Sequence, residues 1–180
     1  QSKSLKTLER IYSKRGIDMD SIFHRVSIRK YKDQQVEEEK ISQILKAGMQ
    51  APSACNQQPW EFYVVTDKEK IKQLSKCTPY AGCAAGAPVV IVPVCRTESL
   101  PALQMVPIDM GICIENMWLE TDALGLGGVC IGVSPIQEFM DAVRHVLNIP
   151  KELEVFSLFA LGYPDEKRVQ QDRFEENRIH

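Results

Sequence analysis

The chain has 180 residues, of which 44% are hydrophobic and 26% are charged, and its 22 Lys and Arg against 24 Asp and Glu give a net charge of −2. This composition is that of an ordinary globular protein of one domain, and it excludes collagen-like, low-complexity and broadly disordered chains. The near balance of charge argues against binding to nucleic acid, which needs a basic face, and no apolar run reaches the roughly 18 residues of a membrane span.

The first 18 residues form a basic segment of their own. Leu5, Leu8, Ile11 and Tyr12 recur at helical spacing, which predicts either a short docking helix or a leader appended to the fold. We expect one domain over residues 19–180. The opening residues lack the apolar stretch of a secretory signal, and the six cysteines show no CxxC pair and no ligand spacing with the three histidines. We therefore expect a cytoplasmic protein with reduced thiols and no metal site.

The rest of the chain alternates between helical and extended patterns. Apolar residues at helical spacing predict amphipathic helices, and short β-branched or aromatic runs predict strands. In chain order the predicted elements are a helix over Val36–Met49, a strand over Glu61–Thr66, a helix capped by Asp67 that reaches about Lys76, a strand over Pro88–Val92 bounded by Pro93, a helix over Pro107–Leu124, a strand over Gly128–Val133, a helix over Ile136–Leu147 and a strand over Val155–Leu161.

The helix over Pro107–Leu124 carries apolar residues on more than one face. It is therefore expected to be the central buried helix, ended by Gly125. Strands and helices together predict an α+β fold in which one sheet is packed by helices. The highly charged tail after Asp165 is expected to lie as an arm over a surface or a partner.

The first motif with chemical meaning is the run from Arg25 to Arg29, with Ser27 between them. Two guanidinium groups and a hydroxyl can converge on a phosphate, because arginine offers a planar fork of donors and serine adds one more. A solvated basic segment is the alternative interpretation.

The second motif is the stretch APSACNQQPW, residues 51–60. Its two prolines restrict the backbone, while Ser, Asn and Gln supply donors and acceptors at short spacing. Such a loop suits recognition of the edge of a heterocycle. The alternative is a plain connection from helix to strand, and Trp60 itself is expected to be a core anchor.

The third motif is the glycine-rich stretch GLGGVCIG, residues 125–132. Glycines allow the backbone to approach a flat ligand closely, so that main-chain N–H groups can meet its ring atoms. The stretch lies between a predicted helix and a predicted strand, and it lacks the GxGxxG turn of a Rossmann site.

In this order and spacing, RVSIRKY, APSACNQQPWEF, GLGGVCIG and ALGYPDEKR resemble the FMN-dependent nitroreductase family, from about Asp20 to the tail. The resemblance implies a three-layer α+β fold with a central, mostly antiparallel sheet flanked by helices and a long buried central helix. It also implies an NAD(P)H oxidoreductase that reduces nitroaromatics, quinones or a similar planar acceptor by ping-pong hydride transfer through N5 of FMN. NADH or NADPH would be the donor. A flavin-storing or flavin-sensing protein and a specialised flavin enzyme of the same fold are the alternatives.

The same resemblance implies how the phosphate end of FMN is held. Arg25 and Ser27 would bind the phosphate and ribityl chain, and Lys167 or Arg168 would complete the phosphate clamp. Arg29 would lie near N1 and O2 of the flavin as electrostatic support. No catalytic side chain is required, because the cofactor carries the chemistry.

The family builds its sites across a homodimer interface, so the resemblance further implies contacts from both subunits. The stretch Thr78–Gly86 should border the substrate pocket, although it has no strong match to the family. The loop residues expected to reach the partner's flavin are Pro52, Ser53 and Asn56, and the residues whose backbone would lie against N5 and O4 are Cys130, Ile131 and Gly132.

Overall fold

The computed structural model describes residues 21–180, so the expected N-terminal helix or leader lies outside the described residues and the domain start at residue 19 stays a prediction. The described part alternates helices with strands and carries four short 3₁₀ turns. In chain order the helices and strands are α1 (Ser21–His24), α2 (Glu38–Met49), β1 (Trp60–Val65), α3 (Lys68–Leu74), β2 (Val89–Arg96), α4 (Val106–Ala123), β3 (Gly127–Gly132), α5 (Gln137–Leu147), β4 (Leu153–Val155) and β5 (Ser157–Gly162).

The five strands form one sheet in the order β1-β2-β5-β3, with β4 also paired to β2. Every strand pair is antiparallel. Side chains of β2 alternate between two cores: Val90 and Val92 pack with residues of α3 and α5, while Val89 and Ile91 pack with residues of α2 and α4. The sheet is therefore the middle of three layers, which confirms the expected fold. Trp60 is buried in the second core, as expected.

Two predicted strands have wrong bounds, and Pro93 explains both. β2 does not stop before Pro93 but continues through it to Arg96. Proline cannot donate to a neighbouring strand, and inside a sheet it is tolerated next to a bulge. Opposite Pro93 the pairing of β2 shifts by one residue, and the N–H of Phe156 donates to the Pro93 carbonyl at 3.0 Å. This irregularity splits the predicted strand Val155–Leu161 into β4 and β5.

Helix ends follow local chemistry closely. The carboxylate of Asp67 accepts a hydrogen bond from the N–H of Lys70 at 2.8 Å and caps α3. α4 ends in a Schellman motif, because Gly125 has φ +72° and the N–H of Leu126 donates to the carbonyl of Thr121 at 3.0 Å. Both helix ends were predicted to within two residues of where they lie.

The long helix α4 is apolar on two faces that have different surroundings. One face, with Met110, Cys113 and Met117, is fully buried against the sheet and α2. The other carries Ile108 and Ile112, which are 55% and 36% exposed. An apolar face that is open in a single chain marks a candidate interaction surface.

Candidate functional site

Residues 25–31, here called the basic strip, lie beside the start of β3. Ser27 forms a parallel bridge with Gly128, and the N–H of Ile28 donates to the Gly128 carbonyl at 3.0 Å. A Cβ on Gly127 would lie 2.6 Å from Cγ1 of Ile28, so the close approach of strip and strand requires glycine there. The first and third motifs of the sequence are thus in contact.

Tyr31 fastens the far end of the basic strip to the sheet. Its hydroxyl donates to the carbonyl of Ile28 at 2.7 Å and lies 3.1 Å from the carbonyl of Ala160 in β5. Burial raises the pKa of Tyr31 well above its usual value, so the phenol remains a proton donor. The strip is therefore held rigidly against two strands.

The charged tail is an arm along the basic strip, as expected. The carboxylate of Glu166 accepts from the backbone N–H groups of Arg29 and Lys30, and the side-chain amide of Gln170 donates to the carbonyl of Arg25 at 2.6 Å. The N–H of Arg29 is the main reason that the pKa of Glu166 is lowered. The tail runs antiparallel to the strip over this distance.

Two tail residues were expected to complete a phosphate clamp. Nε of Arg168 lies 2.9 Å from Oε2 of Glu166, and this contact ties Arg168 to the backbone of Arg29. Lys167 is exposed. The arrangement therefore brings Arg168 alongside the basic strip.

Arg25 is fixed from two sides. Its guanidinium carbon lies 4.2 Å from the ring centroid of Trp118, and its Nε lies 3.2 Å from Oε1 of Glu115 on α4. The Arg25 side chain is only 16% exposed, and the ion pair with Glu115 engages its buried Nε. The terminal NH₂ groups of a guanidinium held in this way are the donors that fit an anion such as a phosphate.

A cavity of about 450 Å³ lies at the open edge of β3 and is called the strand-edge cavity. Its size is in the range of small-molecule sites. One end is formed by Arg29, and one wall by the edge of β3 with Cys130, Ile131 and Gly132. Arg29 of the first motif therefore shares one cavity with the third motif, whereas Arg25 and Ser27 are not among the residues that line it.

Peptide groups of β3 face this cavity. The Gly128 carbonyl points towards the basic strip, and in a strand the N–H and C=O groups of every second residue point the same way. Those of Cys130 and Gly132 accordingly point to the same open edge. Nothing lies within 4 Å of where a Cβ of Gly132 would be, which leaves room for a flat ring against the strand.

The opposite wall of the strand-edge cavity is largely apolar. It is formed by Tyr80, Cys83, Ile136 and Phe139, and Tyr80 is 74% exposed at the protein surface. The stretch Thr78–Gly86 borders this cavity through two of these residues. Flat aromatic and aliphatic side chains suit a planar, uncharged ring.

The cavity thiol of Cys130 is not activated. Burial is the main cause that raises the pKa of Cys130, and the neighbouring Ser157 offsets it only in part. The thiol therefore stays protonated near neutral pH and is a poor nucleophile. This agrees with a site whose chemistry is not carried by a side chain.

Residues 52–58, here called the polar loop, include the other residues that were predicted to contact the ligand. Pro52, Ser53 and Asn56 are not among the residues that line the strand-edge cavity of their own chain. Cys55 and Asn56 have φ of 51° and 52°, and Gln58 has φ of 43°. Left-handed backbone is unfavourable for residues other than glycine, by about 1–2 kcal/mol each. The loop is thus a strained segment that other groups must hold in place.

Two residues that the sequence reasoning missed, Asp109 and Arg96, hold the polar loop, in part through its own residue Gln57. The buried carboxylate of Asp109 accepts from the N–H of Ala54 at 3.0 Å and from the amide of Gln57 at 2.7 Å. The side-chain amide of Gln57 also donates to the carbonyl of Ala102 and accepts from the N–H of Ala102. Arg96 donates to the carbonyls of Gln57 and Gln58. The sequence signal that could have indicated Asp109 is its position as an acidic residue in the otherwise apolar first turn of α4.

Two further kinds of site are absent from residues 21–180. No helix there is long and apolar enough to cross a membrane. Among these same residues, no three His, Cys, Asp or Glu side chains come together in a way that could hold a metal ion.

A family model described as the Nitroreductase family matches residues 22–79 and 76–163. The chain belongs to the nitroreductase family. The matched residues include the basic strip, the polar loop and β3, and the tail follows after them. The expected family and fold are therefore confirmed.

Individual relatives extend almost the full length of this nitroreductase. A protein of Archaeoglobus fulgidus, provisionally named NADH dehydrogenase/NAD(P)H nitroreductase, is 44% identical in an alignment of 167 positions that covers 88% of this chain and 94% of that protein. The structure of an FMN-dependent nitroreductase from Clostridium difficile is 32% identical, with a TM-score of 0.84, over 90% of this chain and 97% of the other. A provisionally named nitroreductase of Desulfovibrio desulfuricans, in complex with FMN, is 29% identical, with a TM-score of 0.77, over 90% and 94%.

Proposed function

We propose that this nitroreductase binds FMN and uses NADH or NADPH to reduce a planar acceptor such as a nitroaromatic compound or a quinone. The observation that carries the proposal is the strand-edge cavity. It combines open peptide groups of β3, the exposed arginine Arg29 at one end and an apolar wall. These are the elements that a flat, polar-edged ring needs for binding.

Three cationic side chains fit the two polar ends of FMN. Arg25, stacked on Trp118 and paired with Glu115 through its Nε, and Arg168, held beside the basic strip, would take the phosphate with the Ser27 hydroxyl. Arg29 lies in the cavity wall and would meet the polar edge of the ring. The positive charge of Arg29 would stabilise negative charge that develops there.

When bound, FMN supplies a ring that accepts a hydride from a nicotinamide and delivers electrons to an acceptor. The chain's own residues do the orienting. The β3 edge offers N–H donors, Arg29 fixes the polar end, and Tyr80, Ile136 and Phe139 exclude water on the apolar side. Donor and acceptor would bind in turn against the same face of the bound ring, which is the ping-pong order.

A homodimer with shared sites completes the proposal. The polar loop does not line the cavity of its own chain, yet it holds the donors and acceptors expected at the flavin. Exposed Leu103 follows Ala102, which hydrogen-bonds to Gln57 of the loop, and exposed Ile108 and Ile112 lie on α4. These three side chains would form the apolar surface that a second copy covers. An obligate interface of this kind would bury above roughly 2,000 Å² in total.

A cytoplasmic location is part of the same proposal. All six cysteines of the chain are free thiols. Four of them are at least partly accessible, namely Cys55, Cys77, Cys83 and Cys130. Accessible thiols persist in a reducing compartment, where disulfides are rare.

The proposal is tested on purified protein reconstituted with FMN. Acid-released flavin should run as FMN in chromatography, and anaerobic addition of NADH or NADPH should bleach the bound flavin. Steady-state oxidation of the nucleotide should then require a nitroaromatic or quinone acceptor. Recovery of FAD, or failure to bind FMN, would overturn the cofactor assignment. Binding without nucleotide oxidation would instead identify a flavin-storing protein.

A further inference from the structure

We infer that Asp109, Gln57 and Arg96 are positioning residues: they hold the polar loop of one chain in the shape that presents Ser53 and Asn56 to a flavin bound in a second copy. This inference rests on the proposed function, because it needs a shared flavin site. The inference adds to the proposed function the residues that shape one half of that site before the two copies meet.

The first step is the burial of Asp109. This carboxylate is 2% exposed, and both of its oxygens accept hydrogen bonds from the loop, one from a backbone N–H and one from the Gln57 amide. A buried carboxylate is unfavourable unless it is well paired. Its place in the first turn of α4 adds the favourable field of an 18-residue helix. Asp109 is thus a stable anchor whose ligands are loop groups.

The second step is that the loop is held by both charges. The Asp109 carboxylate accepts hydrogen bonds from N–H groups of the loop. The guanidinium of Arg96, at the end of β2, donates to the carbonyls of Gln57 and Gln58 at 2.9 and 2.7 Å. Gln57 itself is 7% exposed and is fixed at both ends of its amide by Ala102. Such a clamp fixes the path of the backbone rather than packing side chains.

The third step is the strain that the clamp maintains. Three residues of the loop have left-handed φ although none is glycine, and a plain connection from α2 to β1 needs no such shape. Backbone strain of this kind persists only where the surroundings over-determine it. Here the strained backbone leaves two polar side chains, Ser53 and Asn56, accessible and outside the cavity of their own chain.

The fourth step is the neighbourhood of the clamp. Asp109 follows exposed Ile108 on α4, and Ala102 precedes exposed Leu103. The residues that fix the loop are therefore adjacent to the apolar surface proposed to meet a second copy. A copy seated on that surface comes next to a loop that is already in its final shape, which reduces the ordering entropy lost on binding.

The test uses Asp109→Asn, which keeps the size of the side chain but turns an NH₂ group towards one of the two loop donors. FMN affinity of the reconstituted homodimer should fall by about tenfold, the equivalent of one lost charged hydrogen bond. The matched control is Thr121→Val on the same helix, since Thr121 is also fully buried and hydrogen-bonded, to Met117, but lies far from the loop. Its FMN affinity should stay within about twofold of that of the unmodified protein.

The deciding measurement is an FMN titration of isolated heterodimers that join an Asp109→Asn chain to an Arg25→Ala chain. If Asp109 acts through its loop on the partner's site, one site carries both defects and the other carries none, so one site per heterodimer binds with unmodified affinity. A purely structural defect would weaken the site of its own chain, leave no unmodified site and overturn the inference.

A reference heterodimer separates this inference from the proposed function. Asn56→Ala joined to Arg25→Ala should also show one unmodified site, because Asn56 is itself a loop ligand. If the reference shows none, the shared site and the inference both fail. If the reference succeeds and the Asp109 pair does not, only the inference fails. Should Asp109→Asn not fold, Arg96→Ala replaces it, because Arg96 is largely exposed and its loss buries no unpaired charge; the same single unmodified site is expected.

Discussion

The basic strip and the polar loop have opposite construction. The strip follows two strands of its own chain through Ile28 and Tyr31 and contributes Arg29 to the strand-edge cavity. The loop is strained, clamped by Asp109 and Arg96, and contributes nothing to that cavity. Motifs that resemble one family's site therefore need not meet within one chain: the strip lines a pocket of its own chain, and we propose that the loop is shaped for the pocket of a second copy.

The largest effect is expected from the loss of Arg25 in the basic strip. Arg25→Ala loses a charge-assisted contact to the proposed phosphate, so FMN binding should weaken by roughly 1.5–3 kcal/mol. Riboflavin, which has no phosphate, should lose much less affinity. Fluorescence titration with both flavins measures the difference, and equal losses would place Arg25 away from the phosphate.

The next prediction separates the basic strip from β3. Gly127→Ala sets a Cβ at 2.6 Å from Cγ1 of Ile28, and overpacking of this kind lowers stability by about 1–3 kcal/mol. Thermal unfolding should show the loss, together with weaker FMN binding. Gly82→Ala is the control, since nothing lies within 4 Å of its added Cβ. An unchanged Tm for Gly127→Ala would mean that strip and strand are not tightly joined.

A smaller, pH-dependent effect tests how the tail holds the strip. The pKa of Glu166 is lowered, chiefly by the N–H of Arg29, so its carboxylate stabilises the fold above the ordinary Glu pKa of about 4.3, and this contribution is lost as the pH falls through the lowered value. Glu166→Gln should therefore lower the Tm near neutral pH. The difference from the unmodified protein should shrink in acid, and a difference that is constant with pH would contradict the contact.

The smallest effect belongs to the polar loop. Cys55 has φ of 51° and an exposed side chain. Cys55→Gly relieves left-handed strain but adds chain entropy on unfolding, so stability should change by less than about 1 kcal/mol. Cys55→Val should lower stability by more, because a β-branched side chain tolerates this backbone poorly. Chemical denaturation of both variants gives the comparison, and equal stability would mean that the loop is unstrained.

Sequence alone predicts those parts of the molecule that depend on neighbours along the chain. The Asp67 cap and the end of α4 at Gly125 follow from local rules of helix termini. The path of β2 through Pro93 could not be predicted in this way, because a proline inside a strand is tolerated only if the facing chain shifts its register at the same place.

The site shows the same division. Arg29 and the β3 edge could be named from their motifs, and the structure brings them into one cavity. The contact between Asp109 and Gln57 joins residues 52 positions apart, and no local pattern around either residue predicts this contact. Glu166 likewise reaches Arg29 across 137 positions. Positioning groups of this kind are visible only once the fold brings them together.

The shared site itself is tested most directly by sedimentation of the FMN-loaded protein, followed through the visible absorbance of the flavin over a series of dilutions. Because a ligand that binds only the dimer stabilises the dimer by mass action, the flavin absorbance should sediment only with the dimer, and dilution into monomer should release free FMN. Flavin absorbance that sediments with a stable monomer would contradict the arrangement.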